Sequence, residues 1–225
     1  DRLAETLSEA AAVLGIDPGD AAAPLGPAPA RPEREPLWLP ARRFALGSAP
    51  GPGLVPPNER WAHEIAVPEF EIDAQAVSWQ RFVEFAEDGG YDRAEWWSPE
   101  GWAWLQATGR RAPRGVEQLR GAVLLQRAGR MQRAHGGQPV VHASAFEAEA
   151  WCRWAGRRLP TEVEWELAAC TAASRGFVWG DVWEWAAGRA RAWPGGEASP
   201  PAGFAPVPPR APARVLRGAS SWTVP

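Results

Sequence analysis

Two capping boxes, Ser144-x-x-Glu147 and Thr161-x-x-Glu164, constrain this chain more than any other feature. In such a box the hydroxyl takes a backbone N–H three residues on, and the Glu reaches back to the cap's own N–H. The spacing predicts one helix over residues 144–155 and another over residues 161–169. A third reads from residues 78–87 (SWQRFVEFAE): Ser78 caps it, Trp79, Phe82, Val83 and Phe85 share a helical period, and Asp88-Gly89-Gly90 ends it. Residues 2–14 have helical composition, with Leu3, Leu7, Ala11 and Leu14 three or four apart, stopped by Gly15 and Asp17-Pro18-Gly19. Residues 18–36 form a Pro/Ala-rich tract that reads as an extended linker. WLPARRFALGS reads as a strand running into a turn, residues 64–72 as a second strand and residues 213–217 as a third. Residues 91–113 are Trp-rich and read as largely irregular. The expectation is an irregular α+β domain over residues 37–225, preceded over residues 1–36 by the end of a helical domain and a linker.

Charge narrows the function classes. The chain has 24 basic residues, all Arg, against 27 acidic ones, a net charge of -3, so no overall basic field attracts nucleic acid or anionic lipid. No apolar run approaches the roughly 20 residues that span a bilayer, and no charged-then-apolar leader opens the chain. The expectation is a cytoplasmic protein that binds neither nucleic acid nor membrane. Asp1 stands where a start Met would be, which reads as the interior of a longer gene. Fifteen Trp against one Tyr and seven Phe supply rigid, bulky anchors for a loop-rich domain. Cys152 and Cys170 are too few for a disulfide framework and read as ordinary buried thiols. His63, His135 and His142 show no chelating interval, and each reads as a hydrogen-bonded structural residue. Phosphate-binding glycine loops, CxxC, HExxH and a nucleophile elbow are all missing.

What remains is a family resemblance. Residues 139–169 (PVVHASAFEAEAWCRWAGRRLPTEVEWELAA) resemble the signature of the formylglycine-generating/sulfatase-modifying superfamily. DVWEW at 181–185 resembles its GNVWEW motif, and RVLRGASSW at 214–222 its RVxRGGSW motif. Residues 87–106 (EDGGYDRAEWWSPEGWAWLQ) are similar to the DGGYxxxxWWSxxGW block of the sulfoxide synthases of ergothioneine-type biosynthesis, with selenoneine synthases as near relatives. NERWAH at 58–63 and VPEFEIDAQAVS at 67–78 fit the same branch. The resemblance covers residues 37–225 and implies a formylglycine-generating-enzyme/C-type-lectin-like fold. Residues 1–36 would then hold the last helix of an all-α four-helix, DinB-like domain.

The implied reaction is specific. A non-haem iron(II) enzyme uses O2 to join sulfur or selenium to the imidazole ring of hercynine, leaving a sulfoxide or selenoxide. The family holds its iron with three His, from an HxxxHxE motif and a further His in the helical domain. None of these occurs here, so the iron ligands and most catalytic groups are expected outside these 225 residues. Trp185, Arg217, Ser220 and Trp222 are the candidate substrate-binding residues, because their motifs flank pocket-lining blocks in relatives. Glu164, Trp165 and Trp183 read as scaffold, and Arg157, Arg158, Glu162, Glu164, Glu166 and Glu184 as ion pairs that tie coil segments down.

Residues 193–212 lack the Tyr-containing stretch that relatives carry after WPG, and the pattern departs from the family in two further places. Residues 177–180 (FVWG) run straight into DVWEW, where relatives place a few dozen residues, and the chain stops before an FRN block. Both read as omitted parts of a longer polypeptide with HxxxHxE upstream, in preference to a degenerate, iron-free paralogue. A thiol donor such as cysteine or γ-glutamylcysteine needs Arg to hold its carboxylates, and a selenosugar needs hydroxyl-binding groups. The Arg-rich residues 110–114 suit the first, although a solvated loop is the simpler reading. Trp96, Trp97, Trp102 and Trp104 suit a sugar or cation pocket, with core packing preferred. Two alternatives stand beside the iron enzyme. One is a formylglycine-generating copper oxidase, whose two cysteines follow its GGS motif, where Trp222, Thr223 and Val224 stand here. The other is a non-catalytic lectin-like binding module.

Overall fold

The computed structural model describes residues 27–50, 59, 61–127, 130–190 and 213–219. The candidate helix at residues 2–14, and with it the DinB-like remnant, lies outside the described residues, as do Ser220 and Trp222.

Proline shapes the first ribbon. WLPARRFALGS forms two strands, β1 (Leu37–Leu39) and β2 (Arg42–Leu46), and EIAVPEFEI forms β3 (His63–Val67) and β4 (Phe70–Ile72). Pro40 and Pro68 fall at the two breaks, because a residue without an N–H cannot carry a ladder through. The antiparallel pairs are β1 with β4 (Trp38 opposite Glu71) and β2 with β3 (Phe44 opposite Ile65).

The three expected helices that fall within the described residues all form, each behind its expected cap. Helix α1 (Trp79–Glu87) starts at Ser78, whose hydroxyl accepts from Arg81 N. It buries Trp79, Phe82, Phe85 and Ala86. The turn after it is built tight: a Cβ on Gly90 would sit 2.3 Å from the Phe85 ring. Residues 91–113 are less irregular than expected. A short 3-10 turn (Ala94–Trp96) leads into α2 (Pro99–Thr108), capped by Ser98 and closed by Gly109 at φ 63°. Its signals, Ser98 before Pro99 and a terminal Gly, were present but obscured by the surrounding Trp and Gly residues.

Strands β5 (Val116–Gln118), β6 (Val123–Arg127) and β7 (Arg130–Ala134) make an antiparallel sheet that the periodicity did not announce. Helices α3 (Ala145–Trp154) and α4 (Glu162–Thr171) carry both capping boxes complete. The DVWEW motif continues as strand β8 (Trp183–Arg189), antiparallel to β9 (Arg214–Gly218).

Two apolar clusters hold these elements. The first joins α1, α2, α3 and the β5–β7 sheet around Phe82, Phe85, Tyr91, Trp97, Leu105 and Trp151. Trp96, Trp102 and Trp104 pack against it, in line with the core reading. The second packs α4, through Leu167 and Ala168, against the first ribbon at Leu39, Val67, Phe70 and Ile72. At about 1.5–3 kcal/mol for each fully buried large apolar side chain, these clusters supply most of the cohesion. Residues 27–36 form neither helix nor strand, yet they are laid along the surface of this body. Ala28 is buried, its carbonyl accepts from Gln138 Nε2, and Arg31 N donates to Gly137 O.

Candidate functional site

The DVWEW and RVLRG motifs and the end of the 139–169 signature meet at the β8–β9 ribbon and at α4 beneath it. Glu184 lies opposite Arg217 and Trp185 opposite Leu216, so the ribbon has one face toward α4 and one away from it. The face toward α4 is charged. Arg217, only 8 % exposed, sits 2.8 Å from a Glu59 oxygen and 2.9 Å from oxygens of Glu162 and of Glu166. Glu162 and Glu166 are one helical turn apart on α4, so both carboxylates reach one guanidinium. Glu166 also accepts from Gly47 N at 2.7 Å, which ties β2 to the same cluster. Burial raises the Glu166 carboxyl above its ordinary value, against the pull of the Gly47 N–H and Arg217 and with the push of Glu59 and Glu162. Three carboxylates against one guanidinium leave this buried cluster short of positive charge.

Beside it lies a second acid. Burial pushes the Glu184 carboxyl up to about 7; the Trp165 indole works against that shift and the nearby Asp181 carboxylate adds to it. Gly218 makes room for this packing: at φ 96° its missing Cβ would lie 3.2 Å from Val182 O and 3.5 Å from the Trp165 ring. Asp181 itself is held by Arg31, whose Nε and Nη2 donate to its two oxygens at 2.6 and 3.0 Å. Arg158 makes an equivalent fork to Glu164, at 2.8 and 2.7 Å. Arg157 pairs instead with Asp73 and Glu71, at 3.3 and 3.5 Å.

The face away from α4 is apolar and open. Trp183 is 41 % exposed and Leu216 43 %. Trp185 is half-buried, and its indole N–H donates to Ala143 O at 2.9 Å. Ala143 follows His142, the one described non-glycine residue with positive φ, at 63°. A left-handed residue held beside a motif Trp is a position where the surrounding structure fixes the loop entering α3. Trp185 and Arg217 are therefore close along the ribbon but on opposite faces. The acids around Arg217 were half legible: the Glu162/Glu166 spacing gives a shared helix face, whereas nothing near Glu59 marks it as the third partner.

Metal-holding groups are a separate matter. Among the described residues no three His, Cys, Asp or Glu side chains are placed to hold a metal ion. His63 Nδ1 lies 3.1 Å from Trp61 O, and His135 Nδ1 accepts from Gly137 N. These residues do not fit an iron site. Nor, among the described residues, is any helix long and apolar enough to cross a membrane.

Comparison with known proteins agrees with the motifs. Over 182 residues, 61 % of this chain, it is 40 % identical to the hercynine oxygenase of Mycolicibacterium smegmatis, covering 41 % of that protein. With the hercynine oxygenase of Mycobacterium tuberculosis it shares 34 % identity over 180 residues, 61 % of this chain and 42 % of the relative. The formylglycine-generating enzyme of Streptomyces coelicolor is 37 % identical over 187 residues, 76 % of this chain and 58 % of that enzyme. The chain thus spans about two fifths of the length of the hercynine oxygenases it matches. The sulfatase-modifying factor enzyme 1-like domain matches residues 22–206, most of the chain, and the protein belongs to that family.

Proposed function

We propose that this chain is the sulfatase-modifying-factor-like part of an oxidoreductase that uses O2 to act on hercynine, joining sulfur or selenium to its imidazole ring in ergothioneine or selenoneine biosynthesis. The observation that carries the reading is the 40 % identity to a hercynine oxygenase over 182 residues. The DGGY block supports it as a built element: Gly90 passes under Phe85 and its carbonyl accepts from Trp97 Nε1. Iron(II) is the proposed metal, with its His ligands supplied from outside the described residues, in a helical domain of which residues 1–36 hold the end and the linker. On this reading the present residues bind and shape rather than ligate. Trp185 offers an aromatic face for a trimethylammonium group or a flat ring. Arg217 is a positioning residue that fixes β9, and Ser220 and Trp222 are proposed as substrate-binding residues. The partners are small molecules: hercynine, a thiol or selenosugar donor, and O2. Cytoplasmic location belongs to the same proposal.

A second reading, formylglycine generation with copper, is favoured by the match to the Streptomyces coelicolor enzyme. Cys152 and Cys170 are poorly placed for it, one buried in the first cluster and one exposed at the end of α4. One experiment separates the two. The full-length protein is incubated aerobically with iron(II), hercynine and, in turn, cysteine, γ-glutamylcysteine and a selenosugar, with a cysteine-containing sulfatase peptide plus copper as the other arm. A mass spectrum showing hercynine coupled to a donor is expected. Turnover of the peptide alone, or of nothing, rejects the first reading.

A further inference from the structure

The chain has fifteen Trp and a single Tyr, and that Tyr is placed where chemistry follows from it. Tyr91 is 2 % exposed, and its hydroxyl donates to Glu147 Oε1 at 2.7 Å. Glu147 is itself 1 % exposed, and its other oxygen takes the backbone N–H of Ser144 at 2.7 Å. A buried phenol on a buried carboxylate is the arrangement in which a tyrosine loses an electron most readily, because its proton has a base to go to as the electron leaves.

The electron has a path. The Tyr91 ring centroid is 5.7 Å from that of Trp97, and Trp97 is 6.4 Å from Trp104. Trp97 is 5 % exposed, while Trp104 is half-buried on α2. Trp97 differs from the phenol in one respect that decides its role. Trp97 Nε1 donates to the Gly90 carbonyl at 2.8 Å. A carbonyl is too weak a base to take that proton, so an oxidised Trp97 keeps it and remains a strong acceptor. Tyr91 can shed its proton and so ends the series.

We propose that Tyr91 is a redox site: it gives one electron to oxidised Trp97, which refills Trp104, and its hydroxyl proton moves to Glu147. The initiating step is removal of one electron from Trp104 by a one-electron oxidant at the surface. The balance is then Tyr–OH plus Glu carboxylate giving neutral tyrosyl radical plus Glu carboxylic acid, with the oxidant reduced by one electron. Resting Tyr91 stays protonated, because burial and the Glu147 carboxylate both hold its ionisation far above the ordinary phenol range. The site draws oxidising equivalents away from the α2 surface and stores them on one residue. It goes beyond the hercynine reading and does not depend on it, since no part of it needs turnover.

The test is a flash-quench experiment on the full-length protein, with a photoexcited ruthenium complex and persulfate as oxidant. Transient absorption and freeze-quench electron paramagnetic resonance then read the radicals. The part of the tyrosyl signal that Tyr91→Phe removes belongs to Tyr91, and that part must be present in wild type. Glu147→Gln keeps the acceptor oxygen but cannot take a proton. It is expected to lower the tyrosyl yield at least tenfold and leave indole radicals. Trp97→Phe and Trp104→Phe are each expected to lower the yield severalfold; the second alters a half-buried residue and serves if the first does not fold. Wild-type protein forming indole radicals alone overturns the proposal, as does an unchanged tyrosyl yield in both Glu147→Gln and Trp104→Phe.

Discussion

Cys152 and Cys170 show how far placement separates two residues of one type. Burial first, and then the charges of Asp73 and Glu149, push the Cys152 thiol up to about 12. Cys170, at the exposed end of α4, is raised by partial burial and by Glu166, against Arg217. Only the thiolate reacts with a disulfide reagent. Of these two thiols, only Cys170 is expected to react with an Ellman-type reagent in the native protein at pH 8. Cys152 should react only with denaturant, and the reaction of Cys170 should quicken as pH rises from 7 to 10. Reaction of both at one rate in native protein would contradict this placement. At this scale the sequence was a partial guide. It marked both thiols as buried, and that holds for Cys152 alone, because Cys152 faces the first apolar cluster while Cys170 lies on the exposed side of the last turn of α4.

Individual elements were legible in proportion to how local their signals are. The caps Ser78, Ser144 and Thr161 each form the bonds their spacing required, since a capping box is settled within four residues. The β8–β9 ribbon depends on a partner elsewhere in the chain, and Trp183–Arg189 carries no clean alternation to reveal its strand; the β5–β7 sheet pairs neighbours, but β7 (RMQRA) has no apolar alternation either. The second capping box also has a pH signature. Burial raises the Glu164 carboxyl, but hydrogen bonds from Arg158 and from Thr161 outweigh it and leave it below its ordinary 4.5. A depressed carboxyl adds stability that is present above pH 4.5 and is lost as pH falls through its native value. Glu164→Gln should therefore cost about 1–2 kcal/mol in urea unfolding at neutral pH. Near pH 3 the gap from wild type should narrow. A gap that stays constant across this range would locate the effect in the helix rather than in the charge.

At the scale of the whole molecule, residues 27–36 connect parts of the body that are distant in sequence. Arg31 reaches Asp181 before β8, Arg34 reaches Gly176 O, and Gln138 holds Ala28. Composition alone read this stretch as a linker, because Pro and Ala show no period even where the backbone is docked. The contact with Gly137 is the closest: a Cβ there would stand 2.7 Å from Arg31 O. Asp181→Asn is expected to raise amide exchange at Arg31 and speed protease cleavage within residues 27–36 by severalfold, while β8–β9 protection persists. Loss of protection in the ribbon as well would mean that the segment and the ribbon open as one unit.

Every described sheet has only two or three strands, so among the described residues most strands have a side with no strand partner, although a bridge from Thr161 covers part of β8 at Ala187. Open strand edges recruit other chains, and proteins survive them by making the edges short, charged or interrupted. Here Pro40 and Pro68 cut the first ribbon into pieces of three and five residues, and Arg42, Arg43 and Glu64 line its longer half. The two prolines that divide this ribbon thus also guard it, denying a neighbouring chain the long straight edge on which aggregation begins.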